Sequence, residues 1–250
     1  MTNEPKIPDK NGDTSEREWV NRASAWLTAG RSTILLVVLI LLYAYIPLSQ
    51  ELQIRGLEYV FIGIIAAMVI TVSSNRVRTI IALLFAAVIL VLTILTDPED
   101  IQNTQYAVTY YAAIALFVAY AVAAILYEVT QARKFNYNLI VSALAAYLLL
   151  ALLWAILYTI IEILKPGSFG INPLLIEAET IATIEIFPLI LYFSLITLTT
   201  VGYGDITPVS PIARSVASIE PIVGQLLLAV LVAWLVGMYI IDTIEDRGKK

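Results

Sequence analysis

The chain has 250 residues, of which 60% are hydrophobic and 14% charged, with a formal net charge of −5. A soluble domain carries about 25% charged residues, so this composition excludes an ordinary water-soluble fold. Cysteine and histidine are absent, which excludes disulfides and thiolate metal sites and removes the usual general base and zinc ligand; both absences argue against an enzyme.

Residues 1–30 read as a cytoplasmic N-terminal segment. Its first fourteen residues are rich in Pro, Lys, Asp, Asn and Gly and have too little apolar content to fold. Ser15-Glu16-Arg17-Glu18 has the spacing of a capping box. Trp19, Val20, Ala23, Trp26 and Leu27 follow at helical spacing. That stripe suits an amphipathic helix lying on a membrane surface, or a short helix packed on neighbouring subunits. No early apolar core marks a cleavable signal.

Five apolar spans of transmembrane length come next, at Ser32–Leu48, Leu57–Ser74, Ile80–Leu95, Ala107–Tyr127 and Leu139–Leu164. The first four form a four-helix transmembrane domain over residues 31–134. The fourth contains no Lys or Arg; Tyr110, Tyr111, Tyr120 and many alanines suit tight helix packing. Pro188–Leu198 is apolar but about half the length that crosses a bilayer. Pro188 suits a first helical turn, so this stretch reads as a half-helix that enters the membrane and stops midway. Its C-terminal end would turn partial negative charge toward a cation.

Thr199–Asp205 then reads Thr-Thr-Val-Gly-Tyr-Gly-Asp. Repeated around an axis, Thr200, Val201, Gly202, Tyr203 and Gly204 offer rings of backbone carbonyls that replace the hydration shell of a potassium ion. Gly202 and Gly204 supply positive φ at little cost. The Thr200 hydroxyl forms the innermost site. Val201 and Tyr203 are expected to point into packing behind the loop.

A sixth span runs from about Pro211 to Ile241, leaving 242–250 as a short cytoplasmic tail. Glu220 lies in this span, where a carboxylate needs a partner. It either braces the loop through Ser or Thr hydroxyls of the half-helix, or pairs with Arg214 or water in an outer vestibule. Pro221 removes a helix bond. With Gly224 it reads as a hinge, or Gly224 serves close packing.

Alternating the spans from a cytoplasmic N-terminus puts twelve basic residues inside and three, Arg55, Lys165 and Arg214, outside. That is a positive-inside distribution, with both termini cytoplasmic and the loop on the outer face. Eleven acids on that face would concentrate cations at its mouth or serve ordinary loop solvation.

From Tyr192 to Gly224 the chain resembles the pore domain of bacterial tetrameric potassium channels, through the half-helix, Thr199–Asp205, Pro208, Arg214 and Gly224. With its flanking spans the resemblance covers roughly residues 139–241, within a pore domain placed at 135–241. It implies an all-α integral membrane protein with six transmembrane helices, a re-entrant pore helix and filter loop, and a homotetrameric pore in the cell membrane. It implies passive K+ transport with no cofactor and no nucleic-acid partner, only K+ ions and the lipid bilayer. Tyr192, Thr199, Asp205 and Glu220 would support the filter, the Tyr192 hydroxyl donating to Asp205. Phe193 cannot donate where many family members have tryptophan, and Ile196 replaces a glutamate found in some. Without sensor arginines in the fourth span, voltage dependence should be weak or absent. A nonselective cation channel, a potassium-uptake transporter subunit and a non-conducting regulatory subunit are the alternatives.

Overall fold

The computed structural model describes residues 30–45, 57–94, 104–132, 134–171 and 183–248. The amphipathic stripe at Trp19–Leu27 and the acids Glu51, Asp97, Glu99, Asp100, Glu177 and Glu179 lie outside the described residues.

Among the described residues seven helices follow in chain order: α1 Gly30–Tyr45, α2 Leu57–Val72, α3 Arg76–Ile94, α4 Thr104–Gln131, α5 Tyr137–Leu164, α6 Thr183–Leu198 and α7 Pro211–Gly248. Local caps explain several boundaries that apolar runs alone misplace. The Asn75 side chain accepts from the amide of Arg78 at 2.9 Å, so α3 starts at Arg76 rather than Ile80. The Asn136 side chain accepts from the amide of Asn138 at 3.1 Å, and α5 starts at Tyr137. At the other end of the chain α7 carries on beyond Ile241 to Gly248.

Among the described residues α3, α4, α5 and α7 are each long and apolar enough to cross a membrane. The other three are shorter apolar helices. Much of α3 faces outward with apolar side chains, including Ile80, Leu83, Leu84, Val88, Leu90 and Val91. With so little water-compatible surface, these helices belong in a bilayer.

One core runs through both halves of the chain. On α4, Phe117, Val118 and Ala121 are fully buried, and on α5 so are Ala145, Ala146, Leu149 and Ala155. The alanines let the two backbones lie close, as small residues do between membrane helices. α5 in turn packs on α6 and α7. At the N-terminal end of α6, Phe187 meets Phe61 of α2 edge-on at 5.3 Å and Tyr111 of α4 at 6.4 Å. The Tyr43 hydroxyl of α1 donates to the Leu148 carbonyl of α5 at 3.0 Å.

The all-helical expectation needs one amendment. Strands β1, Phe169–Ile171, and β2, Ile206–Pro208, form an antiparallel ribbon in which Gly170 faces Thr207. Three-residue strands carry too little alternation to announce themselves in sequence. The ribbon clips the chain leaving α5 to the chain entering α7. α6 and residues 199–205 lie between the two clipped ends.

Candidate functional site

α6 begins at Thr183, five residues before Pro188. The proline therefore sits inside the helix, where it leaves the Ile184 carbonyl without its amide partner, and does not open the first turn as its chemistry suggests. α6 ends at Leu198, and the chain then folds back on its last turn. The amide of Thr199 donates to the Leu195 carbonyl at 3.1 Å and that of Thr200 to Thr197 at 3.0 Å. The amides of Val201 and Gly202 both donate to the Ile196 carbonyl, at 2.9 and 3.2 Å. Four consecutive amides are thus directed at the helix that precedes them, meeting carbonyls that a helix end leaves unpaired.

Thr200, Gly202 and Gly204 have positive φ, at 61°, 55° and 81°. The glycines take this region readily; Thr200 is β-branched and pays for it. Sequence reasoning placed the two glycines there and missed the threonine. A β-carbon on Gly202 or Gly204 would meet nothing within 4 Å, so backbone conformation, not space, demands glycine. None of the carbonyls of Thr199–Gly204 accepts a hydrogen bond from the described residues. Thr199 through Gly204 are exposed, with Val201 at 51% and Tyr203 at 72%. The packing expected behind those two side chains is not supplied by the described residues of their own chain.

Asp205 closes the loop. Its Oδ2 accepts from the Tyr192 hydroxyl at 2.7 Å, and its Oδ1 accepts from the amide of Ile206 at 3.0 Å. Thr199 turns its hydroxyl back to the Leu195 carbonyl at 2.7 Å. Behind α6, the rings of Phe193, Phe169 and Tyr158 lie 5.3–5.4 Å apart. Phe193 therefore packs and does not bond. On the flank, the Glu162 carboxylate accepts from the amides of Gly167 at 2.6 Å and Phe169 at 3.1 Å, fixing the turn out of α5.

Glu220 is fully buried. The Tyr158 hydroxyl lies 2.5 Å from its Oε2 and the Ser194 hydroxyl 2.6 Å from its Oε1. Arg214 points elsewhere, donating to the Pro208 carbonyl at 3.3 Å. Of the partners expected for Glu220, the structure thus brings a hydroxyl of the half-helix to it and not Arg214. Sequence reasoning foresaw a hydroxyl on the half-helix but missed Tyr158, because a tyrosine within an apolar span carries no mark of its partner.

Pro221 lies inside α7, which runs on through it although the proline removes one helix bond. Gly224 is buried, and a β-carbon there would come within 2.6 Å of the Leu198 Cδ1 and 2.8 Å of its carbonyl oxygen. At this glycine α7 and the end of α6 are in direct contact. The Tyr147 hydroxyl of α5 donates to the same carbonyl at 3.3 Å.

No curated protein and no solved structure matches this chain. Residues 139–240, less than half of it, match a family model described as an ion channel. The matched stretch runs from the first turn of α5 through β1, α6, the Thr199–Asp205 loop and β2 into α7. That match supports an ion channel domain over these residues, carried on a membrane protein.

Proposed function

We propose that the chain is the subunit of a homotetrameric, potassium-selective channel in the cell membrane. The observation that carries this reading is the loop after α6. Left-handed residues alternate with others at Thr200, Gly202 and Gly204, and the loop's carbonyls accept no bond from the described residues. In such a chain successive carbonyls can face one side, and four copies around an axis make the oxygen cages that dehydrate K+. One exposed strand encloses nothing, so closed fourfold symmetry follows from the chemistry.

In this reading α1 to α5 and α7 span the bilayer six times, and α6 is the re-entrant pore helix. Both termini are cytoplasmic, by the distribution of Lys and Arg, and the loop opens outward. Thr200, Val201, Gly202, Tyr203 and Gly204 hold the ion. Tyr192, Thr199, Asp205 and Glu220 keep the loop in place. Pro221 supplies the flexible point of α7, while Gly224 keeps that helix seated on the pore helix. Transport is passive and needs no cofactor, and no nucleic acid takes part.

Flux into proteoliposomes, K+ against Na+, tests the proposal. K+ uptake far exceeding Na+ uptake, abolished by Gly202→Ala, is expected. Equal permeability would instead indicate a nonselective pore, and no flux under any condition a non-conducting subunit.

A further inference from the structure

We propose that Glu220 is a proton-binding site, held as a neutral carboxylic acid that donates its hydrogen to Ser194. A count of hydrogens leads there. Three short oxygen contacts meet in this cluster: Tyr158 Oη to Glu220 Oε2 at 2.5 Å, Ser194 Oγ to Glu220 Oε1 at 2.6 Å, and Ser194 Oγ to the Ala151 carbonyl at 2.7 Å. Each needs a hydrogen. Tyrosine brings one and serine one; a carbonyl and an ionised carboxylate bring none. With Glu220 ionised, one of the two Ser194 contacts is a pair of oxygens with nothing between them. With Glu220 protonated, every contact is filled and the donors run in one direction: Tyr158 to Oε2, Oε1–H to Ser194, Ser194 to Ala151.

The surroundings agree with a neutral acid. Glu220 is 0% exposed, and no ion pair among the described residues includes it. Among the described residues the titratable groups that face it are tyrosines, Tyr158 and Tyr147 from α5 and Tyr43 from α1. α6 presents the Ser194 hydroxyl. On α7 itself the nearest cation in sequence, Arg214, is bonded to Pro208. A buried carboxylate with no cation is neutralised rather than kept charged.

The relay joins the three helices of the matched domain, through Ala151 and Tyr158 of α5, Ser194 of α6 and Glu220 of α7. Ser194 lies five residues before Thr199. Losing the proton removes the hydrogen that Ser194 receives, and so loosens α6 directly before the loop. The site is thus sensitive to alkaline pH, whichever ion the loop passes.

Infrared difference spectroscopy of the full chain in lipid, wild type minus Glu220→Gln, reads the proton directly and needs no conduction. A protonated-carboxyl C=O band at neutral pH that is lost in Glu220→Gln is expected. A difference confined to carboxylate bands overturns the proposal. Thermal unfolding gives a second readout. The folded protein holds a proton that an unfolded chain releases, so wild-type stability falls as pH rises from the ordinary carboxylate range and levels off only once the folded site gives up its proton; Glu220→Gln lacks that slope. Equal slopes in the two proteins also overturn it. Should Glu220→Gln fail to assemble, Ser194→Ala replaces it: removing the acceptor shifts the C=O band, and an unshifted band overturns the proposal. A channel that conducts nothing and still shows the band separates this inference from the conduction reading.

Discussion

Gly224 of α7 touches Leu198, the last helical residue of α6, so closely that a single added carbon would fall 2.8 Å from the Leu198 carbonyl oxygen. Leu198 adjoins Thr199, where the loop begins. Any movement of α7 at this level is therefore felt one residue away from the loop.

Gly224→Ala should destabilise the protein by about 1–3 kcal/mol, the usual cost of overpacking. Gly237, lower on the same helix, has nothing within 4 Å of a β-carbon. Gly237→Ala should instead leave stability unchanged or raise it by up to about 1 kcal/mol, the ordinary helix gain. Thermal unfolding of the two variants in detergent checks the contrast. If both behave alike, flexibility rather than contact explains Gly224.

Gly202→Ala places a side chain on a residue with φ 55°. The left-handed region costs an L-residue about 1–2 kcal/mol, in every subunit. The simplest relief is rotation of the peptide, which turns a carbonyl away from its neighbours. We expect normal expression and assembly with K+ flux lost. Size-exclusion profile and liposome flux on the same preparation make the measurement.

Tyr192→Phe deletes the hydrogen bond to Asp205. A bond to a charged acceptor contributes about 1.5–3 kcal/mol, less where water competes, as at this half-buried pair. The outer end of the loop should loosen, giving currents that decay faster during sustained opening. Asp205→Asn should weaken the same bond and act in the same direction. Single-channel recording of both variants tests this; unchanged open times would show that the bond does not hold the loop.

Voltage dependence should be weak. α4, Thr104–Gln131, contains no Lys or Arg. Each elementary charge moved through 100 mV yields about 2.3 kcal/mol; α4 has no basic residue to move, and its one acid, Glu128, is paired with Arg78 of α3 at 2.6 Å. The conductance–voltage relation should show well under one elementary charge of gating; a steep relation of several charges would require a sensor elsewhere.

The parts of the molecule read most surely from sequence are those where one residue type has one backbone consequence. Gly202 and Gly204 announce their φ angles, and the long apolar runs announce helices. The pairing of Tyr192 with Asp205 comes from the family resemblance and not from any spacing within the chain. What escaped depends on partners distant in sequence. Asn75 and Asn136 set helix starts that hydropathy blurs. Pro188 looked like a helix opener because helices prefer it there, yet the turn before it folds as helix too. Tyr158 and Ser194 meet Glu220 only because three helices converge, and no spacing within one helix records that. At Gly224 a hinge and a contact ask for the same absent side chain, so the residue type alone does not choose between them.

The ribbon between Phe169–Ile171 and Ile206–Pro208 has a mutational consequence. Its cross-links are amides and carbonyls, common to every residue type but one. Ordinary point substitutions there alter the side chains on display without unfastening the ribbon. Proline alone deletes an amide, and Gly170 adds a second exception, because a β-carbon there meets Val209 at 3.0 Å. The ribbon can thus diverge in sequence while the span it anchors keeps its length.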